Sequence, residues 1–559
     1  MDALITTVTT AREARQREIE REEVEFFRRM EGDKGLKRHQ LDGVQWMSAM
    51  YDCGLSFILG DEMGMGKTAQ AITFIGRLVE KGYTTGQPVL VVVPLAVLTN
   101  WEVEFQHWLP PSVRVIIHHP SAHNGGRESL IERWKEDEEE EEASALVVLT
   151  TPSILVTDFE VINAHGGRWS LVVVDEAHTA KNSASAFSKH LEALETESLL
   201  LMTGTIVHNN VEEELLHLLS LVVPPAAKQA LLALPAHQRG HHGLFVGSKP
   251  TAELERISRV LYCFMMRRLM RGVNMPPKSS CMVHLAQTPL QVGLYGADRG
   301  KVYTKEMIDK HPFLGILTAK SGLGFLPYAP AAQHSDYTPH DRAILSAARL
   351  HSSKIQFISH ILPALLRRSN PKHRVLIFSN SLGVLHLLGL YLSVMEGYCV
   401  DMIVGDVRDI EERKQRLDRF NGGGIGAPEI MLLSTKAMGQ GVQLVGADTV
   451  IFFDHHDNPQ NDNQAEARAY RLTQTKPVLV LRLVTHGTKE EEAMESWVKR
   501  KREVQQWLEF TRVVASSAGS PPAVQAPTEI LELSDEATLN RLLLDMRKKE
   551  GQYSGVWRG

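Results

Sequence analysis

Between residues 57 and 204 short apolar runs recur with segments of helical length between them. FILG (57–60), VLVVVP (89–94), ALVVLT (145–150), LVVVD (171–175) and LLLMTG (199–204) are continuously apolar rather than alternating. A strand apolar on both faces is buried on both faces, the condition of a parallel sheet covered by helices. Residues 36–223 are therefore expected to form one α/β domain. The pattern restarts at RVLIFSN (374–380), EIMLLST (429–435), DTVIFFD (448–454) and PVLVLRLV (477–484). Residues 346–495 are expected to repeat the same architecture.

The other segments differ in kind. Residues 1–35 read as a charged N-terminal helix, a solvated leader, because 11–30 holds six Arg and six Glu in i,i+4 relation. Residues 224–345 mix Pro/Gly-rich loops with helical pieces near 253–270 and 297–308, and read as an interlobe insertion. Residues 496–512 read as a brace-like helix with a basic centre, Lys499 to Arg502. Residues 513–559 have linker composition followed by a short terminal helix. The acidic run KEDEEEEE (135–142) reads as a solvated loop.

Composition narrows the class. The 559 residues are 43% hydrophobic and 23% charged, the mix of a globular protein with a sizeable core. Cys53, Cys263, Cys281 and Cys399 show no CxxC spacing, which excludes a disulfide scaffold and a Cys-rich zinc site and points to a reducing compartment. No apolar run is long enough to span a membrane, and MDALITTVTT lacks the form of a secretory signal. A net charge of −6 confines any nucleic-acid surface to a local basic cleft. His118–His119, His241–His242 and His455–His456 assemble no ligand set and read as surface or turn residues.

The chemistry concentrates at two strand ends. GDEMGMGKT (60–68) follows a strand and opens a helix. Gly64 and Gly66 let the backbone curl so that amides point at phosphates, Lys67 neutralises them, and the Thr68 hydroxyl suits Mg²⁺. Asp61 stands where the strict phosphate-loop pattern has glycine. VVVDEAH (172–178) delivers Asp175 and Glu176 at the C-terminal end of a buried strand, where sites of parallel sheets lie. Asp175 is expected to hold Mg²⁺ and Glu176 to polarise the attacking water. His178 reads as a neutral group coupling nucleotide state to its neighbours rather than as a zinc ligand.

In order and wording these segments resemble a superfamily-two, SWI/SNF-type helicase-like ATPase, the motor of chromatin remodellers. The resemblance covers about residues 36–500. Gln40 in LKRHQLDGVQWM matches the adenine-contacting glutamine, GDEMGMGKT is motif I and VVPLAVLTNWEVEFQHWLP (92–110) is motif Ia. DEAH is motif II, MTGTIVHNN (202–210) motif III, and FMMRRLMRGVNMPPK (264–278) the segment between lobes, with Arg267, Arg268 and Lys278. RVLIFSN, LLSTKAMGQGVQLVGADTVIFFD (432–454) and DNPQNDNQAEARAYRLTQ (457–474) match motifs IV, V and VI. Ile206, His208, Lys436, Met438, Tyr470 and Thr473 depart from the usual residues. Motifs II and VI are most similar to the CHD, ISWI and liver-cancer-amplified remodellers.

The resemblance implies two RecA-like lobes of the P-loop NTPase fold with ATP and Mg²⁺ in the cleft. Arg468 and Arg471, three apart on one helix face, would reach the nucleotide from the second lobe. It implies an ATP-dependent translocase on double-stranded DNA in the nucleus, with nucleosomes, histones and accessory subunits as further partners. Thr99, Asn100 and Trp101 on the first lobe, and Ser379, Thr435, Lys436 and Gln440 on the second, are the expected DNA contacts, mainly to phosphate. The alternative is a weakly active or inactive remodeller-like subunit that binds DNA or partners.

Overall fold

The structure, a computed structural model, describes residues 2–32, 34–120, 145–180, 182–204, 211–225, 228, 245–246, 249–250, 259–268, 275–296, 338–366, 373–404, 410–424, 426–435, 444–455, 459–471, 473–496 and 531–533. The chain divides between Val273 and Asn274 into two compact units, each built on a seven-stranded, wholly parallel sheet. The expected α/β class with two parallel-sheet lobes is what the chain forms.

The first unit contains β1 (Phe57–Leu59), β2 (Val89–Val92), β3 (Arg114–Ile117), β4 (Leu146–Thr150), β5 (Leu171–Val174) and β6 (Leu199–Met202). A small antiparallel ladder, β7 (Phe245–Val246) with β8 (Lys249–Pro250), precedes β9 (Met265–Met266). The sheet order is β3-β4-β2-β5-β6-β1-β9. Every residue of β1, β2, β5 and β6 is buried, as their unbroken apolar sequence requires. The phosphate-loop helix α4 (Lys67–Glu80) and its neighbours α3 (Arg38–Asp52) and α5 (Leu98–Trp108) share that core.

The charged leader is not solvated. It forms two helices, α1 (Asp2–Glu22) and α2 (Val24–Gly32), whose Val8, Ile19, Phe26, Phe27 and Met30 join the core of the first unit. Between them Glu23 takes both Nε and Nη2 of Arg77 at 2.8 Å, with the two side chains 2% and 1% exposed. Arg77 lies on α4 and also donates to Asp52, at 3.3 and 3.0 Å. A few apolar positions among many charges, and one buried ion pair, were enough to dock the segment.

The second unit holds β10 (Lys278–Leu285), β11 (Val375–Ser379), β12 (Val400–Ile403), β13 (Ile430–Ser434), β14 (Thr449–Phe452), β15 (Val478–Thr485) and β16 (Leu531–Leu533), in the order β12-β13-β11-β14-β15-β10-β16. The stretch read as an interlobe insertion thus contributes β9 to one sheet and β10 to the other. The terminal helix near 533–549, the acidic loop and His241–His242 lie outside the described residues. His118 is a correction: it is buried, with Nε2 at 3.1 Å from Asp158 Oδ2, not a surface residue. All four cysteines are free. Among the described residues no helix is long and apolar enough to cross a membrane.

Candidate active site

The phosphate loop runs from the end of β1 to the start of α4. Gly64 (φ 86°) and Gly66 (φ 75°) occupy the left-handed region, where a side chain is strained. Asp61 explains its departure from glycine. It is fully buried and accepts from the backbone N–H and Nε of Arg268 at 3.0 Å each, and from Gln70 Nε2 at 3.2 Å. The fork of Arg268 also reaches Gln70 Oε1 at 2.6 Å and the carbonyl of His39. Beside it, Gly60 N donates to Met266 O at 2.7 Å and Arg267 Nη1 to Gly60 O at 2.8 Å. The base of the loop is therefore clamped by residues about two hundred positions downstream, through bonds to charged groups that are stronger than neutral ones.

Gln40 sits against the same loop. Its Oε1 accepts from Lys37 N at 2.8 Å, and its Nε2 donates to Met65 O at 3.5 Å. Lys67 points inward, its Nζ donating to the carbonyls of Asp61 at 2.8 Å and Glu62 at 3.4 Å. Burial pushes its pKa down, against the opposing charges of Glu176, Asp61 and Asp175. Thr68 is half-buried in the first turn of α4. At the end of β6, a Cβ on Gly204 would stand 2.5 Å from Met63 Cγ and 3.3 Å from Lys67 Nζ. Any larger residue there would have to push the Met63 side chain aside.

Asp175 follows β5, its N–H bonded to Val92 O at 2.9 Å. Its Oδ1 accepts from Glu176 N at 2.9 Å and its Oδ2 from the indole Nε1 of Trp101 at 3.0 Å. Burial, then the charge of Glu176, raises its pKa from 3.8 to about 6. Glu176 has a φ of 49°, the one positive value for a non-glycine among the described residues. Such strain gathers where a side chain must be aimed. Its Oε2 lies 3.2 Å from Nδ1 of His178.

The sites expected to touch DNA fall into three groups. Thr99 is exposed and Asn100 half-buried at the start of α5. Trp101 is a correction, since it is wholly buried and bonded to Asp175, with no face left for DNA. Ser379 is another: it is buried and donates to Asp454 Oδ2 at 2.6 Å. Thr435 is also buried, its hydroxyl turned to Asn380 Oδ1. In each case the residue ends a buried strand or lies on the inner side of a helix, so packing claims it. Lys436, Gln440, Met438, Ile206 and His208 lie outside the described residues.

In the second unit the motif VI helix spans Pro459–Ala469. Arg468 is in its last turn and Arg471 lies two residues past its end, so the two do not share a helix face as expected. The helix stops there because Gln474 Nε2 takes the carbonyl of Ala469 at 3.0 Å and that of Ala447 at 2.9 Å. Tyr470 donates to Pro276 O at 3.0 Å, under Lys278 Nζ at 4.9 Å from its ring centre. Lys278 and Arg482 each bond Glu466 on the same helix at 2.5 Å. The tyrosine that departs from the usual motif is thus a packing choice that ties the helix to the start of β10.

A family model for the SNF2-related domain matches residues 39–322, and one for the helicase conserved C-terminal domain matches residues 353–473. The chain is 32% identical over 487 residues to the chromodomain-helicase-DNA-binding protein 3 homolog of Caenorhabditis elegans, covering 82% of this chain and 26% of that one. It is 32% identical over 491 residues to protein CHROMATIN REMODELING 5 of Arabidopsis thaliana, covering 83% and 26%. Against the chromodomain-helicase-DNA-binding protein 1-like of Mus musculus it is 32% identical over 503 residues, covering 88% and 51%. The chain thus spans between a quarter and a half of the length of these relatives. Among solved structures, the Sulfolobus solfataricus SWI2/SNF2 ATPase core in complex with dsDNA aligns with a TM-score of 0.39 and 22% identity, covering 86% of this chain and 93% of that one. With the SNF2-related model matching more than half its length, the chain belongs to the SNF2, or SWI/SNF-type, family of helicase-like ATPases.

Proposed function

We propose that this chain is a DNA-dependent ATPase that translocates on double-stranded DNA and serves as a chromatin-remodelling motor in the nucleus, with nucleosomes among its substrates. The observation that carries the reading is the meeting, in the first lobe, of a loop curled by two left-handed glycines and ending in half-buried Lys67 with the acidic pair Asp175 and Glu176, whose charges act on that lysine. The loop amides and Lys67 suit an anion, and the acidic pair suits a cation. A triphosphate with its divalent ion supplies both, and the all-oxygen donors Thr68 and Asp175 suit Mg²⁺. When bound, Mg²⁺ neutralises charge on the phosphates.

The residues then divide the work. Gly64, Gly66 and Lys67 cradle phosphate, and Gln40 serves the adenine. Glu176 accepts the proton of the attacking water, its strained backbone fixing the direction of approach. Arg468 and Arg471 are needed for turnover and not for nucleotide binding, as groups that meet charge in the transition state. Thr99 and Asn100 contact DNA phosphate on the first lobe, and Lys436 and Gln440 on the second.

The test is phosphate release measured in parallel with no DNA, single strand, naked duplex and nucleosomes. Duplex or nucleosomes stimulate the wild type, and Lys67→Ala and Glu176→Gln abolish the response. Binding to duplex without stimulated turnover would instead establish the second reading, an inactive remodeller-like DNA-binding subunit.

A further inference from the structure

Away from the nucleotide pocket, two imidazoles and a carboxylate converge on one point of the second unit. His284 is the penultimate residue of β10 and pairs with Val484 in the parallel register. His486 follows β15, and its backbone N–H bonds Leu285 O at 2.9 Å, so the pairing continues past the strand. Residues two apart on a strand share a face, which sets His486 beside His284. Glu491, on the helix that follows, completes the group. Its Oε1 lies 2.9 Å from Nδ1 of His284 and 2.9 Å from Nδ1 of His486. The three donor atoms all lie within 4.8 Å of one another.

The arrangement is held from behind. His284 is fixed by an eight-residue ladder with β15. Gln287 Nε2 donates to His486 O at 3.0 Å, and Gly487 N to Glu491 Oε2 at 2.8 Å. The neighbouring Glu490 turns inward and takes the buried Lys354 Nζ at 2.7 and 2.8 Å, while its Oε2 accepts from Thr485 N at 3.1 Å. One face of the helix start is thereby pinned and the next residue is presented outward.

We propose that Nδ1 of His284, Nδ1 of His486 and Oε1 of Glu491 bind one zinc ion, with water in the fourth position. Two imidazoles and a carboxylate form a donor set that zinc accepts, with bonds of about 2.0–2.2 Å. Tetrahedral ligation at that length sets the donors about 3.4 Å apart, so the 2.9 Å contacts open by roughly half an ångström. The His486 side chain is largely exposed, which leaves the open position facing solvent. Glu491 Oε2, held by Gly487, fixes the carboxylate as an outer partner would. The ion fastens the ends of β10 and β15 to the following helix.

The test is zinc titration of the full chain after chelator treatment, in competition with a chromophoric chelator and with excess Mg²⁺ present. One zinc per chain is expected, with affinity falling about tenfold or more in Glu491→Gln and in the surface variant His486→Ala. X-ray absorption should show nitrogen and oxygen neighbours at about 2.0–2.2 Å. Lys67→Ala should bind zinc like the wild type, which separates this site from the nucleotide pocket and from the ATPase reading. Equal zinc affinity in wild type, Glu491→Gln and His486→Ala would overturn the proposal, as would a sulfur shell, which would place the metal on cysteine.

Discussion

The indole N–H of Trp101 donates to Oδ2 of Asp175 at 3.0 Å, inside a fully buried contact between α5 and the end of β5. The same helix carries Thr99 and Asn100 at its exposed start. The bond favours the ionised carboxylate, opposing the burial that lifts Asp175 to about 6. Trp101→Phe keeps the aromatic packing and removes the donor. With Asp175 in its proposed role of holding Mg²⁺, turnover should need the ionised carboxylate, and kcat/KM should fall as pH drops through about 6. A bond to a charged group is worth about 1.5–3 kcal/mol, so Trp101→Phe should move this acid limb up by about one pH unit. An unmoved limb would make Trp101 a packing residue only.

Asp175 also taxes the nucleotide-free fold. Its folded pKa of about 6 lies above the ordinary 3.8. The folded state therefore holds its proton more tightly than the unfolded chain, and stability declines as pH rises from 3.8 to about 6, with the full loss present above that. Asp175→Asn removes the buried charge. At pH 7.5 without nucleotide its melting temperature should rise by about 4 °C while ATP turnover disappears. A lower melting temperature would contradict this reading of the pocket.

The docked leader makes a separate claim on stability. Glu23→Ala leaves Arg77 buried with Asp52 as its remaining carboxylate partner. Breaking a buried pair from one side should cost about 3 kcal/mol, read by denaturant unfolding. Lys81→Ala removes a half-exposed contact to the same Glu23, at 3.1 Å, and should cost under about 1 kcal/mol. Equal, small costs would mean that the leader is loosely held.

Arg268 should matter to nucleotide binding without touching nucleotide. Arg268→Ala leaves the fully buried Asp61 without its cation and unclamps the loop before Gly64. A stability loss of about 3 kcal/mol and a weakened affinity for a fluorescent ATP analogue are expected. Arg268→Lys restores the charge but not the fork, and should recover only part of that affinity. Wild-type affinity in Arg268→Ala would show the clamp to be irrelevant to the loop.

The central strands were legible because they are apolar without interruption. β3 escaped notice as an edge strand that is mostly half-buried, and β12 because Asp401, neutralised by Arg416 at 3.1 Å, interrupts its apolar run. β9 is two residues long, and KSSCMVHL of β10 is too polar to declare itself. The phosphate loop and the DEAH turn were legible because their chemistry is local. The Arg268–Asp61 clamp spans 207 residues, and such a partner cannot be read from spacing. Trp101 was misplaced for a simpler reason: a motif gives the helix but not the side on which an indole lies. Arg471 fell off the helix face because Gln474 caps the helix at Ala469.

The most direct measurement is steady-state phosphate release with and without duplex DNA, for the wild type and for Glu176→Gln at matched nucleotide occupancy. Duplex should stimulate the wild type about tenfold or more, and Glu176→Gln should bind nucleotide yet lose turnover by about 10²-fold or more. Turnover that ignores duplex, or that survives in Glu176→Gln, would contradict the assignment of this pocket as the engine of a DNA-driven motor.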